Sequence, residues 1–172
     1  DDNSDILWEE LSNALEEAIA NLLEAKEAEG KKLAEDMINR LELINENILN
    51  ISQYSTGLID QYVVKLKDRI KEMLQTDIVD EARISQEVVL YADKTSIEEE
   101  ITRLKSHIVQ FKELLQSESI KKAGKRLDFI IQEMNREVNT IGSKSNCLEI
   151  TNLVIELKTE LEDVREQVQN IE

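Results

Sequence analysis

The sequence contains no proline and only four glycines in 172 residues. A chain without proline lacks the strongest helix breaker, so its helices can run to great length. Aromatic residues make up 3% of the whole, and with so little glycine the composition argues against sheets and their turns. A single cysteine, Cys147, excludes an internal disulfide and suits a reducing, cytoplasmic setting. No apolar run approaches the ~20 residues needed to cross a bilayer, so no membrane partner is expected. The chain opens Asp1-Asp2-Asn3, with neither an initiator methionine nor a signal peptide, and reads as a fragment. Cys/His metal spacing, a glycine-rich phosphate loop and a nucleophile elbow are all missing.

What is present is charge and helical periodicity. With 37 acidic and 21 basic side chains the net is −16, which repels nucleic acid and anionic membranes. The charge is uneven. Residues 1–50 carry 14 acidic and 4 basic groups, whereas 119–145 carry six basic (Lys121, Lys122, Lys125, Arg126, Arg136, Lys144) and three acidic (Asp128, Glu133, Glu137). A polyanion would meet this chain in that second segment; the alternative is a solvated helix start.

The 41% hydrophobic content allows a lean core. Apolar residues recur at three- and four-residue steps from Trp8 through Leu11, Leu15, Ala18, Leu22 and Ala25, then from Leu33 through Met37, Leu41, Ile44, Ile48 and Ile51. Asn3 or Ser4 can cap this helix, and the stripe must shift near Glu29 and Gly30 by a kink or by slow drift. Ser52 to Gly57 reads as a break, Leu58 to Leu74 as helix, and Thr76-Asp77 as a second break with Asp77 or Asp80 as cap. A short helix follows over roughly 80–92. Ser96 can then cap a helix with a seam at Ile97, Ile101, Leu104, Ile108, Phe111 and Leu115. After a weak break between Ser117 and Gly124, Leu127, Ile130, Ile131, Met134, Val138 and Ile141 share one face, with Gly142 as the expected stop. The last helix steps without a fault from Cys147 through Ile150, Val154, Leu157, Leu161, Val164 and Val168 to Ile171. The expected fold is therefore all-α, with long helices packed as coiled-coil hairpins in an oligomer. Residues 1–75 would form a long helical arm and 76–172 a helical C-terminal domain.

Two polar groupings stand out. Glu100, Arg103, His107 and Gln110 step along one helix beside its apolar seam, so that neighbours can meet. A carboxylate beside the only histidine is the arrangement required of a general acid or base near neutral pH; the alternative is a solvating flank. On the following helix Arg126, Glu133, Glu137 and Lys144 rim the apolar face, while Asp128, Gln132, Asn135 and Asn139 gather on the far side. Glu133 and Glu137, one turn apart, can share a divalent cation, or can be neutralised by Arg126 and Lys144 instead. Asparagines at 135 and 139 are poor helix formers for an interior position.

The run Gly124-Lys125-Arg126-Leu127-Asp128-Phe129-Ile130-Ile131-Gln132-Glu133-Met134-Asn135-Arg136-Glu137-Val138-Asn139-Thr140-Ile141-Gly142-Ser143-Lys144 closely resembles the signature of the bacterial YicC/YloC family. The ending from Leu157 to Glu172 resembles it too, as do Glu27-Ala28-Glu29-Gly30, Arg83 with Glu87, Ala92-Asp93-Lys94, and the stretch from Glu99 to His107. Thr95-Ser96-Ile97 departs from the pattern, which has an Asp-Ile pair there. The resemblance implies a cytoplasmic endoribonuclease that assembles as a homo-oligomer, requires a divalent metal (Mg or Mn) and acts on RNA rather than DNA; full-length members carry a further N-terminal domain. On that basis His107 is the expected proton-transfer group, with Glu100 holding it and Arg103 toward phosphate. Glu133 and Glu137 are the expected metal ligands, and Lys125, Arg126, Arg136, Asn139 and Lys144 the expected RNA contacts. The rival expectation is a helical oligomerisation module whose catalysis resides in the absent domain.

Overall fold

With no proline to stop it, the first helix, α1, runs unbroken from Asp2 to Thr56, about 80 Å at 1.5 Å per residue. The computed structural model describes residues 2–74, 80–117 and 120–169. The expected break at Thr76-Asp77 and the seam residue Ile171 lie outside that range, as do the side chains of Asn3, Ser4, Lys121 and Lys122. Five more helices follow: α2 (Leu58–Leu74), α3 (Glu81–Thr95), α4 (Glu98–Ser117), α5 (Ile120–Lys144) and α6 (Leu148–Gln169). Among the described residues there is no strand, and no helix is long and apolar enough to cross a membrane.

Local chemistry sets the boundaries. At the end of α1 the hydroxyls of Ser55 and Thr56 both donate to the carbonyl of Ser52 at 2.9 Å, and Gly57 makes the step into α2. Asp80 caps α3 as its sequence position suggests, accepting from the backbone N–H groups of Ala82 and Arg83. α1 is continuous through Gly30, where the stripe was expected to shift by a kink or by slow drift. One expected boundary moves: α5 continues through Gly142 to Lys144. Gly142 serves close approach instead of termination: a Cβ there would lie 3.1 Å from Cγ1 of Val154, so the missing side chain lets α5 and α6 meet.

The second half of α1 packs with α4, α5 and α6 as a four-helix bundle in which α1 touches α4 and α6, and α5 touches the same two. Met37, Leu41, Ile44, Ile48 and Ile51 join every seam residue expected on α4, α5 and α6 from Ile97 to Val168, apart from half-buried Cys147, in one buried core. Where coiled-coil hairpins were expected, the helices close on two neighbours each. The reason is the width of the apolar faces: adjacent pairs such as Leu114-Leu115 and Ile130-Ile131 are both buried, which a narrow two-stranded seam does not require. The boundary expected near residue 75 falls between α2 and α3, whereas the core joins α1 to the C-terminal helices.

Every seam of the bundle carries an ion pair. Arg40 on α1 reaches Glu160 at 3.0 Å and Asp163 at 2.8 Å on α6. Lys112 on α4 meets Glu42 on α1, and Arg165 on α6 meets Asp128 on α5 at 3.2 Å. Asp36 is held below the usual carboxylate range by a hydrogen bond from Gln167 and then by Arg40. Outside the bundle, α2 and α3 pair through stacked rings of Tyr62 and Tyr91, whose centroids lie 3.7 Å apart. The first half of α1 is different. Trp8 is 70% exposed, and Leu11, Leu15, Ile19 and Leu22 are exposed beside it, so the expected stripe exists without a covering helix among the described residues.

Candidate functional site

Helices α4 and α5 run antiparallel, and two ion pairs fix their register. Lys144 donates to Oε1 of Glu100 at 2.7 Å and to the carbonyl of Ser96 at 3.0 Å. One turn further along α4, Arg103 meets Oε1 of Glu137 at 3.3 Å and also pairs with Glu99. His107 follows Arg103 by one turn of α4, as Glu133 precedes Glu137 by one turn of α5. Gln110, Lys125 and Arg126 then line a common groove with Phe129 at the far end. The two polar groupings read separately in the sequence thus face each other along one seam.

The partners differ from those expected within α4. Glu100 does not hold His107; it is 6% exposed, gives one oxygen to Lys144, and leaves Oε2 buried without a hydrogen bond among the described residues. The ring Nδ1 of His107 is likewise enclosed without a partner. The cause is spacing: Glu100 and His107 stand two turns apart on the helix, and the ammonium of Lys144 arrives from α5. Gln110 donates to Ser106 on its own helix. Arg103 and Lys144, expected toward phosphate, are both engaged by carboxylates. The guanidinium of Arg103 is raised further above its usual range, first by the hydrogen bond to Glu137 and then by Glu99.

The expected metal pair falls short of a ligand set. Glu137 is 4% exposed and turned to Arg103, while Glu133 approaches Arg136 at 3.9 Å. Among the described residues no group of three or more His, Cys, Asp or Glu side chains could hold a metal ion. Glu133 and Glu137 alone therefore do not fit one.

Arg136 and Asn139 leave the seam altogether and face a second groove, between α5 and α6, with Lys158 and Arg165. Neither α6 residue was singled out in the sequence, although Lys158, Glu162 and Arg165 step four and three along the helix outside its apolar seam, which is a legible signal.

The model of the family described as Endoribonuclease YicC-like, C-terminal, matches residues 51–172 of this chain. The chain belongs to the YicC family. A protein of Clostridioides difficile (strain 630) named probable endoribonuclease YicC is 51% identical over 174 residues, covering 100% of the chain. Another of that name from Haemophilus influenzae (strain ATCC 51907 / DSM 11121 / KW20 / Rd) is 30% identical over 168 residues and covers 98%. The chain spans 58% and 57% of the length of these two YicC relatives. The segment matched by the YicC family model holds both sides of the α4–α5 seam and the α5–α6 groove, whereas the Met37–Ile48 wall of the core precedes it.

The buried end of the seam makes a prediction. Lys144→Met removes the cation that answers a carboxylate shielded from water, and should cost on the order of 3 kcal/mol in urea unfolding. The double variant Glu100→Met/Lys144→Met should recover most of that loss, because an apolar pair asks for no counter-charge. A double variant as unstable as the single one would mean that the pair contributes more than mutual neutralisation.

Proposed function

We propose that this chain is the helical, RNA-facing part of a cytoplasmic endoribonuclease that depends on a divalent ion and works as a homo-oligomer. The names of its relatives supply the reaction class. The observation that carries the reading to a site is the α4–α5 seam, where two buried carboxylates, their two cations and the chain's only histidine share one line.

Cleaving a phosphodiester requires a group that takes a proton from the attacking oxygen and one that returns a proton to the leaving oxygen. His107 suits either task through Nε2, since Nδ1 is enclosed. A phosphate arriving at the seam would compete with Glu137 and Glu100 for Arg103 and Lys144, so the cations would serve it only as those pairs loosen. When bound, a divalent ion supplies charge neutralisation and water activation. It would need ligands beyond Glu133 and Glu137.

A second reading, a helical assembly module with catalysis residing elsewhere in the full-length protein, is favoured by the exposed stripe from Trp8 to Leu22. A cleavage assay of the full-length protein separates the two. Labelled RNA should be cut in the presence of Mn²⁺ or Mg²⁺ and spared in EDTA. Arg103→Gln should slow cleavage by about tenfold or more if the seam is the site. Wild-type rates in that variant, with the same ion requirement, would favour the assembly reading.

A further inference from the structure

We infer that the groove between α5 and α6 is a track for the phosphate backbone of an RNA strand, separate from the α4–α5 seam; this rests on the endoribonuclease reading above. The groove is shallow and open, with a volume of about 860 Å³, and every residue lining it is polar or charged. What it offers is cations and amides. Arg136, Lys158 and Arg165 face Glu162, an excess of positive charge in a chain whose net charge is −16.

The three cations are not equivalent. Arg165 is tied to Asp128 at 3.2 Å and lies 3.8 Å from Glu162, so it braces α6 against α5. Arg136 lies 3.9 Å from Glu133, too far for a strong hydrogen bond. Lys158 has no ion pair or hydrogen bond among the described residues, and its side chain is exposed. Arg136 and Lys158 are therefore the charges a phosphate can recruit at little cost.

The asparagines complete the argument. Asn135 and Asn139 stand one turn apart along the groove, and neither makes a hydrogen bond within the described residues. Each costs helix stability relative to a good helix former and returns no intramolecular contact. An amide both donates and accepts, so it can serve a phosphate oxygen, a ribose hydroxyl or a base edge. Three amides and one cation on α5 over the three turns from Gln132 to Ser143, with Lys158 and Arg165 on α6, suit an extended polyanion better than a single small anion.

The test is the salt dependence of RNA binding by the full-length protein in EDTA, using a short fluorescent single-stranded RNA. Each cation that contacts phosphate contributes about 0.7 to the slope of log affinity against log salt. Lys158→Gln and Arg136→Gln should each flatten the slope by about that amount, and the double variant by about 1.4. Asn139→Ala should weaken binding without changing the slope. Lys26→Gln, on the acidic half of α1, should leave both unchanged. The same melting temperature across the set shows that folding is intact, which is expected because Lys158 and Arg136 are both exposed. An unaltered slope in the double variant of a protein that still binds RNA rejects the track and leaves the endoribonuclease reading standing. A wild-type protein that neither binds nor cuts RNA removes both.

Discussion

His107→Ala should lower the rate of RNA cleavage by the full-length protein by about 10²–10⁴-fold, with RNA affinity nearly intact. His107 is the chain's only imidazole, and it stands one turn of α4 beyond Arg103, which pairs with Glu137 across the seam. Among the described residues its Nδ1 has no hydrogen-bond partner, and no carboxylate orients the ring. A ring held by packing alone should be sensitive to its shape as well as its chemistry. His107→Gln distinguishes the two contributions: an amide refills much of the volume and hydrogen-bonds, but it cannot titrate. If proton transfer is the role, the Gln variant is as slow as the Ala variant while its melting temperature returns toward wild type. A Gln variant that cuts at near wild-type speed would remove His107 from the chemistry and make it a packing residue.

The second large effect concerns stability. Leu157 and Leu161 have no exposed surface and sit one turn apart in the middle of α6, facing the core shared with α1 and α5. Truncating a leucine in such a place typically costs about 2–5 kcal/mol, and a carboxylate adds the cost of burying an unpaired charge. Leu157→Asp with Leu161→Asp should therefore exceed the roughly 5–15 kcal/mol that holds a domain folded. Circular dichroism should show the loss of the cooperative melting transition. Leu15→Asp makes the contrast, because Leu15 is 58% exposed and contributes nothing to that core. Unchanged melting in the double variant would contradict the bundle.

The apolar seams of α4, α5 and α6 were readable residue by residue because helical periodicity is a local property: a buried stripe leaves its spacing in the sequence whatever covers it. The cap of α3 was readable to two candidates, Asp77 and Asp80, of which Asp80 is the one used. The covering helix was not. The stripes of α1 before and after Gly30 both step by three and four residues, yet one is exposed and the other closes the core. Nothing in the spacing records which helix arrives from a distance.

The site divides along the same line. That Glu100, Arg103 and His107 share a face with one another, and Glu133, Glu137 and Lys144 with one another, follows from 3.6 residues per turn. That Glu100 belongs to Lys144 and Arg103 to Glu137 depends on the antiparallel register of two helices, a long-range fact. Gly142 shows the limit most plainly. A glycine near the end of an apolar stripe reads as a stop, and only the nearness of Val154 reveals that it admits a neighbour.

The length of α1 has a mechanical consequence. Its second half is gripped by α4 and α6 and clamped at Arg40, while its first half extends beyond the grip as a continuation of the same rod. Trp8 then rides at the tip of a lever about 40 Å long, measured from Leu33 at 1.5 Å per residue. A tilt of about 10° within the bundle would sweep that tip through on the order of 7 Å, for a rod of this rise per residue. Whatever holds the tip gains leverage on the packing of α1 against α4, the helix that carries His107.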